Sequence, residues 1–354
     1  LKRMSMTYGE LGLPIRAVTT GLGLPAHGIS HETVYDNCGR ATVTIDGNGH
    51  ESVVEYDAAG RVLSRTQADG GKETFEYAAN GCLLKGIDAA GFVTMTTPTP
   101  SGKVGAMTYA DGSVLTNEYD EVDPLIASTD RRGSRTESFR DACGRVTRVT
   151  TANTSVSTTY DASGAVVDVT NGLGNVETRE YDSKGRSVVT YDCLGAANAI
   201  RYDAGDNPIV YMDPLGRVTF SEYDVLNRRR ASVSPMGNRE KFIYDGMGNL
   251  SGYENAEGNT HRQSLDALGR LLAVTNGNGK ETARMSYDGN GNVITRSDGK
   301  GIVLRYAYDA CNRLTSLTGG DCDYAYQYDV RGNMVSAHGN GVVETFAYDA
   351  FSRK

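Results

Sequence analysis

The chain of 354 residues carries a formal net charge of −8, and only 39% of its residues are hydrophobic while 43 are glycine. The acidic balance argues against a non-specific nucleic-acid binder, which would present a basic face. No apolar run approaches the roughly 20 residues of a membrane-spanning helix, and the first six residues contain no secretory hydrophobic stretch. Low hydrophobicity with many glycines favours a thin layer of turns and strands over a thick core.

Residues 1–31 differ from the rest of the chain. The stretches Tyr8–Pro14 and Gly21–Pro25 are rich in Gly and Pro and are typical of turns, but they follow no regular spacing. We interpret residues 1–31 as an irregular lead-in or a degenerate repeat. His27 and His31 form an i, i+4 pair, yet Gly28 and the neighbouring prolines disfavour the helix that would let such a pair bind a metal ion.

From residue 32 onward a tyrosine, usually followed by aspartate, returns about every 21 residues. Such a period is the signature of a repeat array. Pro98, Arg140 and Leu265 occupy the same place in degenerate copies. The tyrosines of the series are Tyr35, Tyr56, Tyr77, Tyr119, Tyr160, Tyr181, Tyr202, Tyr223, Tyr244, Tyr287, Tyr308, Tyr328 and Tyr348.

One repeat, from Tyr181 to Tyr202, contains two Asp-x-x-Gly turns, Asp182–Gly185 and Asp192–Gly195. The aspartate can accept hydrogen bonds from the amides ahead of it, and the glycine tolerates a left-handed conformation. Between the turns lie about six residues rich in Val, Thr, Tyr and Arg, which is the length and composition of a strand. Each repeat therefore predicts one hairpin, and successive hairpins predict an all-β, continuous antiparallel sheet without helices.

Both turns recur along the array. Turns of the first kind follow the tyrosine position and begin at Asp36, Asp57, Asp141, Asp161, Asp182, Asp245, Asp266, Asp288 and Asp329. Turns of the second kind begin at Asp46, Asp88, Asp130, Asp192, Asp213 and Asp298, with asparagine at Asn171, Asn255 and Asn276. As repeat-defining structural residues we assign Tyr35, Asp36, Gly39, Tyr56, Asp57, Gly60, Tyr181, Asp182, Gly185, Asp213, Gly216, Tyr223, Tyr244, Asp245, Gly248, Tyr287, Asp288 and Gly291.

We interpret the other candidate residues, which are the tyrosines, the acidic stretches and the cysteines, as structural. The tyrosines form a row that could bind sugars, but cross-strand ring packing is itself a stabiliser of sheets, and we favour that role. The acidic stretches 120–123 and 321–323 could bind calcium, but their positions in the repeat are typical of solvated turns. The six cysteines lack metal or disulfide spacing and are interpreted as free thiols. No catalytic, cofactor-binding or metal-binding residue is predicted.

At its end the chain opens a new repeat at Tyr348 and stops at Lys354, and at its start it has no initiator methionine. A solenoid normally closes with an atypical cap. We therefore expect a fragment of a longer protein, in which the repeat array of residues 32–354 is truncated in mid-repeat.

The segments Tyr56–Val62 and Asp213–Thr219 resemble the Rhs/YD-repeat family, and the resemblance covers residues 32–354. It implies an array of about 16 hairpins coiled into part of a hollow β-shell, or cocoon. Such shells occur in bacterial Rhs toxins, in the B and C components of Tc toxins and in teneurins. In the bacterial members the shell holds a toxic C-terminal domain, which a protease at the end of the shell cuts free.

The resemblance implies a shell segment of a Rhs or Tc-type toxin, made in the bacterial cytoplasm and delivered to target cells, for instance by type VI secretion. Its expected partners are the enclosed toxin domain of the same protein and secretion-system spike or chaperone proteins. The alternative is a cell-surface or wall-associated YD-repeat protein that mediates adhesion or binds carbohydrate. The family protease carries paired Asp-Pro-x-Gly motifs, whereas this chain has one, Asp213–Gly216, in phase with its turns. No enzyme activity is therefore expected of this segment, and no cofactor.

Overall fold

The computed structural model describes residues 2–122, 124–339, 341–349 and 352–353. These residues form 33 β-strands and contain no helix. The predicted all-β antiparallel array is confirmed. In the same described ranges there is no helix that could span a lipid bilayer.

The strands are four to seven residues long and follow one another at the spacing set by the turns. Those before residue 182 are β1 (Arg3–Tyr8), β2 (Pro14–Thr20), β3 (Ile29–Tyr35), β4 (Ala41–Ile45), β5 (Glu51–Tyr56), β6 (Val62–Thr66), β7 (Lys72–Tyr77), β8 (Leu83–Ile87), β9 (Val93–Pro98), β10 (Val104–Thr108), β11 (Val114–Tyr119), β12 (Leu125–Thr129), β13 (Arg135–Arg140), β14 (Val146–Thr150), β15 (Ser155–Tyr160), β16 (Val166–Thr170) and β17 (Val176–Tyr181). The later strands are β18 (Ser187–Tyr191), β19 (Ala197–Tyr202), β20 (Pro208–Met212), β21 (Val218–Tyr223), β22 (Arg229–Val233), β23 (Arg239–Tyr244), β24 (Leu250–Glu254), β25 (Thr260–Leu265), β26 (Leu271–Thr275), β27 (Glu281–Tyr287), β28 (Val293–Asp298), β29 (Val303–Tyr308), β30 (Leu314–Gly319), β31 (Cys322–Tyr328), β32 (Met334–Gly339) and β33 (Val342–Thr345).

Consecutive strands pair antiparallel, and the register breaks at the tyrosine. In the pair β5 and β6, Glu55 lies opposite Ser64, whereas the next residue, Tyr56, lies opposite Val62. The same break precedes the last residue of β3, β7, β11, β13, β15, β17, β19, β21, β23, β25, β27, β29 and β31. A bulge of this kind bends the strand and increases its right-handed twist. Each repeat therefore adds one twisted step at its tyrosine position.

The turns close as Asp-x-x-Gly chemistry requires. The amide of Gly185 donates to the carbonyl oxygen of Asp182 (2.9 Å), and Gly185 has a φ of 78°. The carboxylate of Asp182 accepts hydrogen bonds from the amides of Lys184 (2.9 Å) and Arg186 (3.1 Å). These bonds satisfy the amides that have no partner in the strand ladder, so the turn forms from local sequence alone.

The sheet is a single layer with little buried side-chain volume. Among the described residues the buried hydrophobic side chains are Ile29, Ala127, Ala231, Ala267 and Ala273, and no large side chain is fully buried. Stability must therefore come from the strand ladder and from contacts between neighbouring repeats.

The chain divides into two compact units. The first comprises Leu1–Lys103, Thr108–Gly112 and His261–Lys354, and the second comprises Val104–Met107 and Ser113–Thr260. In the first unit β1 and β2 lie within the sequence-defined lead-in, and β2 pairs with β3, so these residues extend the antiparallel sheet.

Candidate functional site

In several repeats an arginine that follows the first turn contacts the next repeat. Arg61 Nε donates to the carboxylate of its own turn residue, Asp57 (2.6 Å), and Arg61 Nη1 donates to the carbonyl oxygen of Ala78 in the next turn of the same kind (2.9 Å). Its guanidinium also lies over the ring of Tyr77, 4.9 Å from the centroid. One planar side chain thus makes an ion pair, a backbone hydrogen bond and a cation–π contact, which a lysine could not reproduce.

This contact recurs through the array. Arginine lies over the tyrosine of the next repeat at 4.5 to 5.1 Å in the pairs Arg40 and Tyr56, Arg61 and Tyr77, Arg145 and Tyr160, Arg186 and Tyr202, Arg228 and Tyr244, Arg270 and Tyr287, and Arg313 and Tyr328. No role was predicted for these arginines from the sequence alone. The signal was present, because arginine directly follows the turn glycine at Arg40, Arg61, Arg145, Arg186 and Arg270.

Each tyrosine of the series that we assigned links its own strand to the neighbouring strand through its ring hydroxyl. Every tyrosine of the series is half-buried. The hydroxyl of Tyr56 donates to the carbonyl oxygen of Ala41 (3.0 Å), and that of Tyr181 donates to Val166 (2.7 Å). The other assigned tyrosines do the same, with Tyr35 bonding Pro14, Tyr223 bonding Pro208, Tyr244 bonding Arg229 and Tyr287 bonding Leu271. The tyrosines therefore connect neighbouring strands by hydrogen bonds from side chain to backbone.

Folding lowers the pKa of several turn carboxylates, among them Asp182 and Asp224. Hydrogen bonds from the Arg186 guanidinium lower the pKa of Asp182 against the opposing effect of burial, and the Arg186 amide lowers it further. In the same way the Arg228 side chain and amide lower the pKa of Asp224. A carboxylate that is ionised and fully engaged as an acceptor is poorly suited to act as a general acid or base at neutral pH.

Asp213, the one candidate for the family protease, is such a turn acceptor. Its carboxylate accepts from the amides of Leu215 (3.0 Å) and Arg217 (2.9 Å) and from Arg217 Nε (2.6 Å). Gly216 closes the turn by donating to the Asp213 carbonyl oxygen (2.9 Å). The same backbone closure is found at the other assigned aspartates, Asp36, Asp57, Asp182, Asp245 and Asp288, whose turns are closed by Gly39, Gly60, Gly185, Gly248 and Gly291.

The other candidate ligands are dispersed. His27 lies in the loop before β3 and His31 lies within β3, and the two imidazoles share no helix. All six cysteines are free. In the part of the chain that the structure describes, no group of three or more His, Cys, Asp or Glu side chains could hold a metal ion. Asp120 accepts from the amide of Val122 (2.8 Å), whereas Asp123 lies outside the described residues.

Within the first unit the sheet returns against itself along a line of turn-to-turn contacts, here called the seam. Turns of the second kind near the start of the chain meet turns of the first kind that lie 240 to 244 residues later. The seam joins the loop at Leu22 to the turn at Ala267, Asp46–Gly49 to Asp288–Gly291, the turn at Asp69 to that at Arg313, and Asp88 to Arg331. No sequence pattern had predicted it.

The centre of the seam is a contact between two glycines. A Cβ atom on either Gly47 or Gly289 would collide with the backbone of the other. Beside them, Asn48 Nδ2 donates to the Asp288 carboxylate (3.0 Å), the Gly289 amide donates to Asn48 Oδ1 (2.8 Å), and Asn290 Nδ2 donates to the Asp46 carboxylate (2.6 Å). Close backbone approach allows the turns to bond directly to each other.

Ion pairs extend the seam on the C-terminal side. Arg313 Nη2 lies 3.0 Å from the carboxylate of Asp69, and Arg331 Nε lies 2.9 Å from that of Asp88. The seam also buries turn residues. The Ala267 amide donates to the carbonyl oxygen of Leu22, and both Asp266 and Ala267 are among the few buried residues of the described chain. The seam is thus an interface made by turn residues that the isolated repeat leaves exposed.

Comparison with known proteins agrees with this architecture. The family model of the teneurin YD-shell matches residues 219–352, and that of the RHS repeat matches residues 119–156. No curated protein sequence matches the chain.

Solved structures match the whole array. The crystal structure of TcdB2-TccC3-TEV aligns with 99% of this chain at 15% identity and a TM-score of 0.82. The Photorhabdus luminescens Tc holotoxin pore, and TcdB2-TccC3 without its hypervariable C-terminal region, each align with 99% at 14% identity and a TM-score of 0.81. This chain spans 23% of the length of those chains. The shared fold and the two family matches confirm the resemblance of this chain to the Rhs/YD-repeat family.

Proposed function

We propose that this chain is a wall segment of a shell that encloses a toxic effector domain belonging to the same polypeptide, in a bacterial Rhs or Tc-type toxin. The observation that carries the proposal is the seam. A sheet one layer thick that bonds back to itself, turn against turn, is a wall without an open gap along that line. A wall of this kind suits the retention of a macromolecule.

The ionisable residues of the repeats favour a function in enclosure over a function in catalysis. Where a repeat carries both the turn aspartate and the arginine that follows, as at Asp57 and Arg61, the two groups are engaged in turn closure and in the contact with the next repeat. Among the solved relatives, TcdB2-TccC3 has a form without its hypervariable C-terminal region. By analogy, the effector of the present protein would follow the shell repeats and would leave the bacterium enclosed, with a secretion spike or chaperone as a further partner.

The test uses the full-length protein, purified under native conditions and treated with trypsin. The effector region is expected to resist digestion until the wall is unfolded, and mass spectrometry of a denaturing gel should show two or more polypeptides that co-elute before denaturation. An effector region digested as fast in the intact protein as in free form would refute enclosure. A single uncleaved chain exposed on the cell surface would favour the adhesion alternative.

A further inference from the structure

The second unit exposes a row of large apolar residues along one class of turn. Four successive turns of the second kind carry Leu173, Leu194, Leu215 and Met236 at their third position. These side chains are 87%, 88%, 76% and 88% exposed. Because turns of one kind join every second pair of strands at the same end, the four residues follow one another about 10 Å apart along one edge of the sheet. We call these four residues the apolar ridge.

Two second-kind turns at the start of the first unit, residues 46–49 and 67–70, contact later turns across the seam. Their third positions are Asn48 and Asp69, which bond to Asp288 and Arg313 across the seam. The edge formed by second-kind turns is therefore a surface that this fold uses for docking. In each case the covering element is a turn of the first kind, 240 to 244 residues further along the chain.

The ridge turns also meet the steric requirement of the seam. Second positions at the seam are compact, as at Gly47, Ala68 and Ala89, because the opposing turn approaches closely there. The second positions of the four ridge turns are Gly172, Cys193, Pro214 and Pro235. None of these is a long side chain that would hold an opposing turn away.

We propose that the apolar ridge is the docking edge for a further run of YD repeats, about 240 residues later in the same polypeptide. The sequence separation at the seam, applied to the ridge, points beyond Lys354. The solved relatives contain such additional length, since this chain spans 23% of theirs. The occupant would present first-kind turns with apolar tips, as Leu226 and Met247 do within this chain.

Apolar tips change the chemistry of the docking edge. At the seam of the first unit the contacts are hydrogen bonds and ion pairs, which depend on pH and salt. Along the ridge the contact would bury four large apolar side chains, which otherwise form an exposed patch of the kind that marks interaction sites. The inference rests on the shell-wall part of the proposed function and is independent of the nature of the cargo.

The experiment measures two native probes in the ridge, the alkylation rate of the Cys193 thiol and the oxidation rate of Met236. Three samples are compared: the chain of residues 1–354, the full-length protein, and the full-length protein with its effector region deleted. Both probes should react at least tenfold more slowly in the two longer proteins than in the shorter chain. Rates in denaturant provide the reference for free side chains.

Other occupants give different results. Equal reactivity in all three samples would overturn the proposal. Protection that disappears when the effector region is deleted would identify the cargo as the occupant, and protection of residues 1–354 that grows with protein concentration would identify a second copy. Either result also overturns the proposal, while neither decides whether the effector is enclosed.

A pair of substitutions separates docking from folding. Leu194→Asp with Leu215→Asp should leave the melting temperature of residues 1–354 unchanged, because both side chains are exposed there. In the full-length protein the same pair should restore rapid alkylation of Cys193. The matched control, Leu194→Met with Leu215→Met, keeps the apolar character and should keep Cys193 protected. Protection that survives the aspartate pair would contradict docking at the ridge.

Discussion

Arg313 and Asp69 form an ion pair of 3.0 Å although 244 residues separate them in the sequence. Arg313 also bonds to the carboxylate of its own turn residue, Asp309 (2.6 Å), and lies over the ring of Tyr328. One side chain thus takes part in the turn, in the contact between repeats and in the seam. The periodic network and the long-range interface share the same residues, so a defect in one is expected to weaken the other.

The seam ion pair should contribute measurably to stability. The side chains of Arg313 and Asp69 are 21% and 19% exposed, so solvent screens the pair only in part. A double-mutant cycle with Asp69→Ala and Arg313→Ala is expected to give a coupling energy of about 1 kcal/mol. Hydrogen exchange of the amides in both turns is the suitable measurement, because long repeat arrays need not unfold in a single step.

The matched control is the exposed pair of Arg135 and Glu118, which lies between adjacent hairpins. Arg135 Nη2 lies 2.8 Å from Glu118 Oε2, but the two side chains are 41% and 51% exposed. Its coupling should be clearly smaller than that of the seam pair, because solvent screens both charges. A seam coupling no larger than this control would show that the Arg313 pair does not hold the seam.

A methyl group at the centre of the seam should separate the two turns. Gly289→Ala places a Cβ against the backbone of Gly47, and neither backbone can move without disturbing its own turn. We expect a loss of about 1 to 3 kcal/mol in local stability, measured by hydrogen exchange at residues 46–49 and 288–291. In the full-length protein the same variant should make the effector region more sensitive to trypsin.

Gly246→Ala is the control for this change. Gly246 holds the same position in its turn, before Met247 and Gly248, but a Cβ atom added there would have no neighbouring atom within 4 Å. Its effect should stay within about 0.5 kcal/mol. Similar losses for the two alanine variants would mean that the cost arises within the turn and not at the seam.

A tyrosine with an arginine over its ring should contribute more to the free energy of unfolding than a tyrosine without one. Tyr244 has the Arg228 guanidinium over its ring at 4.5 Å, whereas the corresponding residue beside Tyr223 is Asn207, an uncharged side chain that bonds to Asp203. Tyr244→Ala is expected to cost about 2 kcal/mol and Tyr223→Ala about 1 kcal/mol, because only the first loses a cation–π contact. Thermal unfolding of the two variants measures the difference.

Glycan binding separates the structural role of the tyrosines from a recognition role. The Tyr223→Ala variant should lose thermal stability without losing binding to any specific glycan on an array. An unchanged melting temperature together with lost glycan binding would support the surface adhesion alternative.

Stability should fall in acid. The Arg186 side chain lowers the pKa of Asp182, and the Arg145 side chain lowers that of Asp141, both from a usual value of 3.8. A carboxylate whose pKa is lowered by folding stabilises the folded state above its unfolded pKa and loses that contribution as pH falls through its folded pKa. The melting temperature should therefore be nearly constant above about pH 5 and should decrease below about pH 4. An increase in melting temperature between pH 5 and pH 3 would contradict this sign.

The sequence by itself determined the repeating unit. The Asp-x-x-Gly spacing at Asp182 and Gly185 places a turn without help from distant residues, because the aspartate bonds amides two and four positions ahead. The strands between the turns follow from the same spacing. Even the degenerate positions Arg140 and Leu265 end strands β13 and β25, as the tyrosines end theirs. Local hydrogen bonding and the fixed period are sufficient for this level of structure.

The arginine contacts needed the pairing of strands. Whether Arg61 reaches Tyr77 depends on the register between neighbouring hairpins, which the bulge before each tyrosine shifts. Arginine after the turn glycine is visible in the sequence, but its target becomes visible only when the strands lie side by side.

The tertiary structure alone decided the seam. Its separation of 240 to 245 residues results from small twists added strand by strand, so a slight change in each step would bring a different turn opposite Asp46 or Asp69. The sequence near Asp46 resembles that of every other turn and carries no mark of its distant partner. Local chemistry thus sets each hairpin, whereas the accumulated twist of many hairpins selects which turns meet.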